Sequence, residues 1–317
     1  MRELEAESLG ELLDERGHLM NLAVRMLGSA NDAEDVVQQT YVRWFQLGDE
    51  ERDAIERPRA WLTTVASRIC LNILDSARAR RERYVGEWLP EPLPAMTDAA
   101  TASAPAVDPL ERITLDDSVS MALLVVLESL TPAERVAFVL HEVFAVPFAE
   151  IAEIVGRSPE AARQLASSAR RHIRELRARP AEASEHARLV HAFRLACESG
   201  DLDGLVAILD PEVASVSDGG GKVRAALRPV VGADNVARYL LGVLRKAQDL
   251  TVEESDVNGE LGLVASVGDL VVGTISLGTV SVGSVSDRAA PDGGAGRIRN
   301  IWIVVNPDKL EAWNRTE

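Results

Sequence analysis

The sequence predicts a multidomain protein in which two all-α domains precede an α+β domain. Its length of 317 residues allows two or three domains, because a domain commonly holds about 100–200 residues. Apolar residues recur at helical spacing over 8–83 and 115–179, and five prolines between 86 and 112 separate these stretches. After residue 184, helices give way to alternating apolar residues, which is typical of strands.

The first helical stretch carries a recognisable helix start and a long basic helix. Asn31 and Glu34 have the spacing of an N-cap pair, which predicts that a helix begins there. A later helix follows Pro58 and runs into a group of arginines. Trp61 lies on the apolar face of that helix, so a core position is favoured over stacking on an unpaired base.

The second helical stretch contains the sharpest local pattern. Thr131 and Glu134 predict a capping box at a helix start. Further on, a helix over 148–155, a turn at Gly156 and a second capped helix from Ser158 form a helix-turn-helix pattern. An ordinary helical hairpin with an arginine-rich face is the alternative, and the turn chemistry together with the local charge favours DNA binding.

The last third of the chain has mixed periodicity. Short helices are predicted over 202–209 and 232–246. Alternating apolar residues over 261–267, 271–275 and 298–304 predict strands. Helices followed by antiparallel strands predict an α+β domain.

The formal net charge of −16 would argue against a nucleic-acid partner if it were evenly spread. It is not evenly spread. Residues 68–83 carry five arginines against two acids, and residues 157–179 carry seven against two. Two basic segments in an acidic chain predict two phosphate-facing surfaces, although two solvated helix faces would give the same pattern.

The remaining composition indicates a cytoplasmic protein. The two cysteines, Cys70 and Cys197, are too few for a disulfide framework or a zinc site of their own. Residues 1–20 carry six acids, unlike a signal peptide. The weakly charged stretch 261–286 is long enough to cross a membrane, but repeated Gly and Ser favour successive strands.

Three segments, in this order, resemble those of bacterial sigma factors. Residues 32–44 are similar to the segment that binds core RNA polymerase, and residues 58–62 with the arginines that follow are similar to the segment that melts and reads the −10 promoter element. The helix-turn-helix at 148–174 is similar to the module that reads the −35 element. No other sigma region is recognisable between them, which is the pattern of the extracytoplasmic-function (ECF) group.

Further motifs resemble one ECF subgroup. Residues 84–92, 218–222 and 306–310 are similar to the hallmarks of sigma factors that carry a SnoaL-like C-terminal extension. The resemblance implies a nuclear-transport-factor-2-like, cone-shaped barrel for that extension. It implies sigma domain 2 over 1–84, a Pro-rich linker over 85–114, sigma domain 4 over 115–180 and a SnoaL-like regulatory domain over 184–317.

The resemblance also implies core RNA polymerase and promoter DNA as partners, with activity modulated in cis by the extension and no separate anti-sigma factor required. The side chains expected to face polymerase are Asp32, Glu34, Asp35, Gln38 and Gln39, with Val36, Val37, Tyr41 and Phe45 divided between core and interface. The side chains expected on DNA are Arg68, Asn72, Arg78, Arg80, Arg81, Arg83, Arg163, Gln164, Ser167, Arg170, Arg171 and Arg174. Within the helix-turn-helix, Arg163, Gln164 and Ser167 are expected to contact base edges. Arg170, Arg171 and Arg174 are expected to contact phosphate.

The glycine-rich motif of the extension lacks the spacing of a phosphate-binding P-loop. Its glycines are expected to form a turn that brings backbone close to another surface. The apolar cluster in the linker has little reason to be solvated, so we expect it to dock on a folded domain. We therefore expect contact between the loop and this cluster, near sigma domain 2, through Trp88, Leu89, Pro90, Asp218, Gly219, Gly220, Gly221 and Lys222.

Two alternatives remain for the extension, because SnoaL-like folds also include polyketide cyclases and isomerases. Such chemistry commonly requires a general base. None of the five histidines lies in the strand-rich stretch, and no His–carboxylate pair is visible. We therefore expect no enzymatic activity, metal or cofactor, and a small ligand that shifts the domain arrangement is left open.

Overall fold

The computed structural model describes residues 2–81, 84–94, 120–176, 181–247, 249–281 and 296–314, with side chains from Glu15 onward except those of 77–81 and 175–176. The chain divides into two compact units. The first comprises Met1–Glu82 and Val126–Glu175, and the second comprises Arg83–Val125 and Leu176–Glu317. The first unit is all-α and the second is α+β, so the predicted fold class is confirmed.

The first unit joins both predicted helical stretches in one body. Its helices are α1 (Arg2–Leu27), α2 (Ala30–Gln46), α3 (Asp49–Asp53), α4 (Pro58–Arg81), the end of α5 (Met121–Glu128), α6 (Pro132–Phe138), a π-helix (Val139–Val143), α7 (Phe148–Val155) and α8 (Pro159–Leu176). The α6 and α7 helices pack against α4, and the π-helix packs against α1. A shared core forms from both stretches, because Leu22, Leu62, Leu140 and Ile151 are all fully buried.

Two expected helix details are corrected and one is confirmed. The α2 helix begins at Ala30, because the Ser29 hydroxyl accepts a hydrogen bond from the Asp32 amide and caps the helix two residues earlier than predicted. The capping box of Thr131 and Glu134 is present as expected. Trp61 is only half-buried, with its ring edge-on to the buried Trp44 at 5.2 Å, so it does not belong to the innermost core.

The helix-turn-helix forms as predicted. Gly156 ends α7 in the left-handed conformation, with φ 65° and ψ 41°, which glycine adopts without strain. The Ser158 hydroxyl caps α8 by accepting from the Ala161 amide. Ile151 on α7 and Ala162 on α8 are fully buried, and Ala152 is 4% exposed.

The second unit contains a six-stranded sheet in the order β2-β1-β6-β5-β4-β3. Its elements are α9 (Ala183–Ser199), α10 (Leu202–Ile208), β1 (Leu209–Asp218), β2 (Val230–Val231), α11 (Ala233–Leu244), β3 (Leu250–Val257), β4 (Glu260–Val267), β5 (Leu270–Val280), β6 (Arg297–Val304), a 3₁₀ turn (Pro307–Lys309) and α12 (Glu311–Asn314). The expectation of antiparallel strands is wrong for one pair, since β1 runs parallel to β6. The α11 crossover between β1 and the later strands makes that pairing possible.

The two faces of this sheet are covered differently. Alternate β6 residues point to opposite faces, with Ile301 in the core formed with α9, α10 and α11. Trp302 and Val304 lie on the other face, where Leu89 and Met121 pack on them. Among the described residues, no helix is both long and apolar enough to cross a membrane.

Candidate functional site

The α2 helix presents an acidic and polar face. Asp32, Asp35, Gln38 and Gln39 are exposed, as their predicted role requires. Glu34 is half-buried and pairs with Arg16 at 2.9 Å. Four of the five predicted polymerase-facing side chains are thus exposed, and the fifth is partly engaged within the unit.

The same face also exposes two apolar side chains, of which Phe45 was predicted to lie in the core or at the interface and Val42 was not predicted. Val36 and Val37 are buried in the core, whereas Val42 is 53% exposed and Phe45 is 52% exposed. Asp35 precedes them at helical spacing, so residues 35, 38, 42 and 45 form one outward stripe. We call these four residues the α2 stripe. The i, i+3, i+7 spacing is the signal that could have identified it.

The arginine-rich helix α4 is only partly described at its basic end. Arg68 and Asn72 are exposed. The guanidinium of Arg68 donates to the backbone carbonyl of Glu153 on α7, at 3.4 Å. The side chains of Arg78, Arg80 and Arg81, and all of Arg83, lie outside the described residues.

The second reading helix, α8, presents its predicted residues outward. Arg163, Gln164, Ser167, Arg171 and Arg174 are exposed, opposite the buried side that includes Ala162, Ala166 and Ala169. Shared orientation on one helix face is what groove recognition requires.

Two of the α8 arginines already have partners within the first unit. The guanidinium carbon of Arg163 lies 5.2 Å from the centre of the Phe148 ring. Arg170 forms an ion pair with Glu142. Arg170 is therefore less available for phosphate than Arg171 and Arg174.

A polar network joins α1 to α4 beside an aromatic contact. Arg59 donates to Nδ1 of His18 at 3.0 Å, which leaves Nε2 to donate to the Thr63 hydroxyl at 3.1 Å. The ring also meets Phe144 edge-on at 5.1 Å. Burial and the nearby Arg59 charge lower the pKa of His18 to about 4, so the ring is neutral at pH 7.

In the second unit, the linker is bound to the extension through a fully buried carboxylate. Asp218 accepts hydrogen bonds from the Tyr84 hydroxyl at 2.6 Å and from the Leu89 amide at 2.9 Å. Lys309 forms an ion pair with the same carboxylate at 2.7 Å. Asn306 donates to the Tyr84 hydroxyl at 2.9 Å. These donors offset the cost of removing the carboxylate from water.

Aromatic rings complete this arrangement. The ammonium of Lys309 lies 4.0 Å from the centre of the Trp88 ring and also donates to the Leu89 carbonyl. Burial and the hydrogen bond to Asp218 raise the pKa of Tyr84 well above its usual range, so the hydroxyl stays a donor. We call the network of Tyr84, Trp88, Leu89, Asp218, Asn306 and Lys309 the linker clasp.

The three glycines after Asp218 are required by close approaches. A Cβ on Gly219 would lie 2.2 Å from the Val223 carbonyl oxygen, and one on Gly220 would lie 2.5 Å from the Asn306 side chain. Gly221 has φ +70° and runs past Val85 in the linker. The loop thus turns against the linker at Val85, and Lys222 lies outside this contact, paired with Asp308 at 2.7 Å.

The linker continues along the extension beyond the clasp. The Trp313 indole donates to the Pro92 carbonyl at 2.8 Å. The Leu93 amide donates to the Asn258 side chain, and the Asn258 amide returns a bond to Leu93 at 2.9 Å. Pro90 is buried. The segment 84–94 is therefore folded onto the extension along its whole length.

Both described flanks of the linker meet in one apolar cluster. Leu89, which follows the first helical stretch, is 2% exposed, and Met121, which begins the second, is 1% exposed. Both pack with Trp302 and Val304 on the same sheet face. The extension thus holds the chain leaving one helical stretch beside the chain entering the next.

The histidines of the second unit differ from the sequence expectation. The His191 ring lies 2.9 Å from the Glu254 carboxylate, so a His–carboxylate pair does exist. The His191 side chain is 55% exposed, and Arg194 also pairs with the Glu254 carboxylate. Within the described residues, no cluster of His, Cys, Asp and Glu is arranged to hold a metal ion.

Two family matches cover the helical stretches. Residues 13–81 match Sigma-70 region 2, and residues 120–173 match Sigma-70 region 4. Together with the helix-turn-helix, they define the class as a Sigma-70-type transcription initiation factor built from these two regions.

Relatives that align with nearly the full length of the chain identify the family within this class. The ECF RNA polymerase sigma factor SigJ of Mycobacterium tuberculosis H37Rv is 41% identical over 307 residues, covering 93% of this chain and 90% of SigJ. The probable ECF sigma factor SigI of the same strain is 38% identical over 299 residues, covering 93% and 92%. The crystal structure of SigJ has a TM-score of 0.69 and 37% identity, covering 96% of this chain and 98% of SigJ. The chain therefore belongs to the ECF RNA polymerase sigma factors, and a C-terminal α+β domain follows its two Sigma-70 regions.

Proposed function

We propose that this sigma factor binds core polymerase through the α2 stripe, reads promoter DNA with α4 and α8, and is restrained in cis by its extension through the linker clasp. The observation that most directly supports this restraint is the apolar cluster in which Leu89 and Met121 pack together on Trp302. One sheet face thus holds both flanks of the connection between region 2 and region 4.

The restraint follows from the size of a promoter. Elements named for positions −35 and −10 lie about 25 base pairs apart, or about 85 Å at ~3.4 Å per base pair. Region 2 ends shortly before Tyr84 and region 4 begins at Ser120. While both flanks stay bound to the extension, the length of chain between Pro94 and Ser120 cannot increase the distance between the two regions. The clasp must open before the two regions can separate fully.

This arrangement gives the extension the role of a regulator fused to its target. The Asp218 carboxylate accepts from two linker donors, Tyr84 and Leu89, and from two donors of the extension, Gly220 and Lys309. Linker release is therefore cooperative, since each bond orders the groups for the next. A partner that binds the protein only when the linker is released then shifts the equilibrium between the bound and the released linker. The size of the shift equals the difference between its affinities for the two states. We infer that core polymerase or promoter DNA is that partner.

The α2 stripe gives a direct test of polymerase binding. Phe45→Glu places a charge in an apolar contact, and we expect it to weaken the affinity for core polymerase at least tenfold, measured by fluorescence anisotropy. Leu195→Glu is the matched control, because Leu195 is an apolar side chain on α9 that is 46% exposed. Equal affinities for the two variants would contradict the assignment.

A further inference from the structure

We propose that Glu142 is a positioning residue for the reading helix α8, because its carboxylate holds Arg170 and thereby limits the sequence-independent affinity of region 4 for DNA. The inference rests on the proposed function that α8 binds promoter DNA. It goes further by naming the residue that sets how much of this binding comes from phosphate contacts and how much from base contacts.

Glu142 lies in the π-helix that precedes the helix-turn-helix. Amides of a π-helix bond to the carbonyl five residues earlier, so its side chains point in directions other than those of an α-helix. Here the Phe144 amide donates to the Val139 carbonyl at 3.4 Å. In the turn that follows, Ala145 has φ 51°, a left-handed conformation that is uncommon for residues other than glycine. Such unusual backbone is frequent at functional sites.

This backbone places two neighbouring side chains against the helix-turn-helix. The His141 ring lies over Phe148 on α7, with ring centres 3.9 Å apart, and its Nδ1 atom lies 3.2 Å from the Val146 carbonyl oxygen. The Glu142 carboxylate forms an ion pair with Arg170 on α8. The π-helix therefore contacts both helices of the helix-turn-helix, and Glu142 is the residue that contacts the reading helix.

Arg163 and Arg170 of α8 are held by different chemistry. Arg163 rests on the face of the Phe148 ring, and this contact leaves the N–H groups at the edge of the guanidinium plane able to reach a base. Arg170 instead donates an N–H group to the Glu142 carboxylate, which also neutralises its charge. Arg163 is thus presented for base reading, whereas Arg170 is held away from phosphate.

A DNA phosphate must compete with Glu142 for Arg170. Exchanging one anion for another gains little free energy, and the released carboxylate would then lie beside the like charges of the duplex. The Arg170 side chain is 41% exposed and that of Glu142 is 28% exposed, so DNA can reach the pair. Arg170 therefore adds less to phosphate binding than the exposed Arg171 and Arg174.

Glu142→Gln is expected to release Arg170 for phosphate. One added phosphate contact steepens the salt slope by about 0.9, which corresponds to a gain in affinity of about three- to tenfold at ~0.1 M salt. The gain should be equal on duplexes with and without a −35 element, since phosphate contacts carry no sequence information. Because exposed ion pairs contribute little to stability, the variant should unfold at the same temperature as the wild type.

The measurement is the affinity of holoenzyme, formed from core polymerase and the full chain, for short duplexes that carry or lack a −35 element, over a range of salt concentrations. Glu153→Gln is the matched control, because Glu153 is an exposed acid on α7 and its loss changes the net charge equally. It should change the affinity by less than about twofold. Glu142→Gln added to Arg170→Ala should also change the affinity by less than about twofold, because the arginine that it releases is absent.

Three results would overturn the inference. An unchanged salt slope for Glu142→Gln would show that the pair does not limit phosphate binding. Weaker DNA binding by this variant would show that the carboxylate presents Arg170 to DNA. The same gain in the Arg170→Ala background would place the effect elsewhere. In each case, weaker binding by Arg171→Ala would leave the proposed function of α8 standing, whereas Arg163→Ala and Arg171→Ala variants that both bind like the wild type would disprove that function itself.

Discussion

Replacing Asp218 with alanine is expected to raise run-off transcription by core polymerase at least tenfold. The change removes the acceptor for Tyr84 and Leu89 and leaves the Lys309 ammonium without its carboxylate. A hydrogen bond to a charged group commonly contributes about 1.5–3 kcal/mol, so losing the two linker bonds exceeds the ~1.4 kcal/mol that a tenfold change in the open population needs. The linker is therefore expected to leave the extension readily.

Two further variants separate release of the linker from damage to the extension. Tyr84→Phe removes one linker bond to Asp218 and leaves the extension's own residues intact, so a smaller rise of about two- to fivefold is expected. Asp308→Ala breaks the exposed pair with Lys222 and should change nothing. Transcription by folded Asp218→Ala protein at or below the wild-type level would refute the restraint.

The second large effect is expected on the α8 helix. Arg163→Ala should reduce discrimination at one position of the −35 element by about 5- to 150-fold, since a good base contact contributes roughly 1–3 kcal/mol. Its guanidinium rests on the Phe148 ring in the free protein, which holds it at the exposed face of the helix. The measurement is holoenzyme affinity for a set of promoters that vary in the −35 element.

Arg171→Ala provides the contrast, because Arg171 is exposed and expected on phosphate. It should weaken binding evenly across that promoter set and lower the salt slope by about one. If Arg163→Ala also weakened all promoters evenly, the division between base and phosphate contacts on α8 would be wrong.

Local patterns in the sequence predicted the parts of the site that lie on single elements. The glycine at 156, the cap at Ser158 and the outward arginines of α8 act within a few residues of each other, so their spacing carries the information. The cap of α2 shows the limit of such reasoning. Ser29 and Asn31 both suit an N-cap, and the competing partner of Glu34, Arg16, lies 18 residues away.

Contacts between segments that are distant in the sequence could be predicted only where a motif suggested them. The glycine-rich loop and the Trp88 cluster were expected to meet because both resemble motifs of one subgroup, although Asp218 lies 129 residues from Leu89. Nothing in one sequence pairs Arg135 with the Arg25 carbonyl, 110 residues earlier. The same holds for the parallel pairing of β1 with β6 and for the His191–Glu254 pair.

Hydrogen exchange at the linker tests the central claim most directly. In the free protein the Leu89 amide is bound by Asp218 and the Leu93 amide by Asn258, so both should exchange slowly. In holoenzyme bound to a promoter, we expect both amides to exchange at least tenfold faster. Unchanged protection in a transcribing complex would show that region 2 and region 4 reach the promoter with the clasp closed, and would contradict the account.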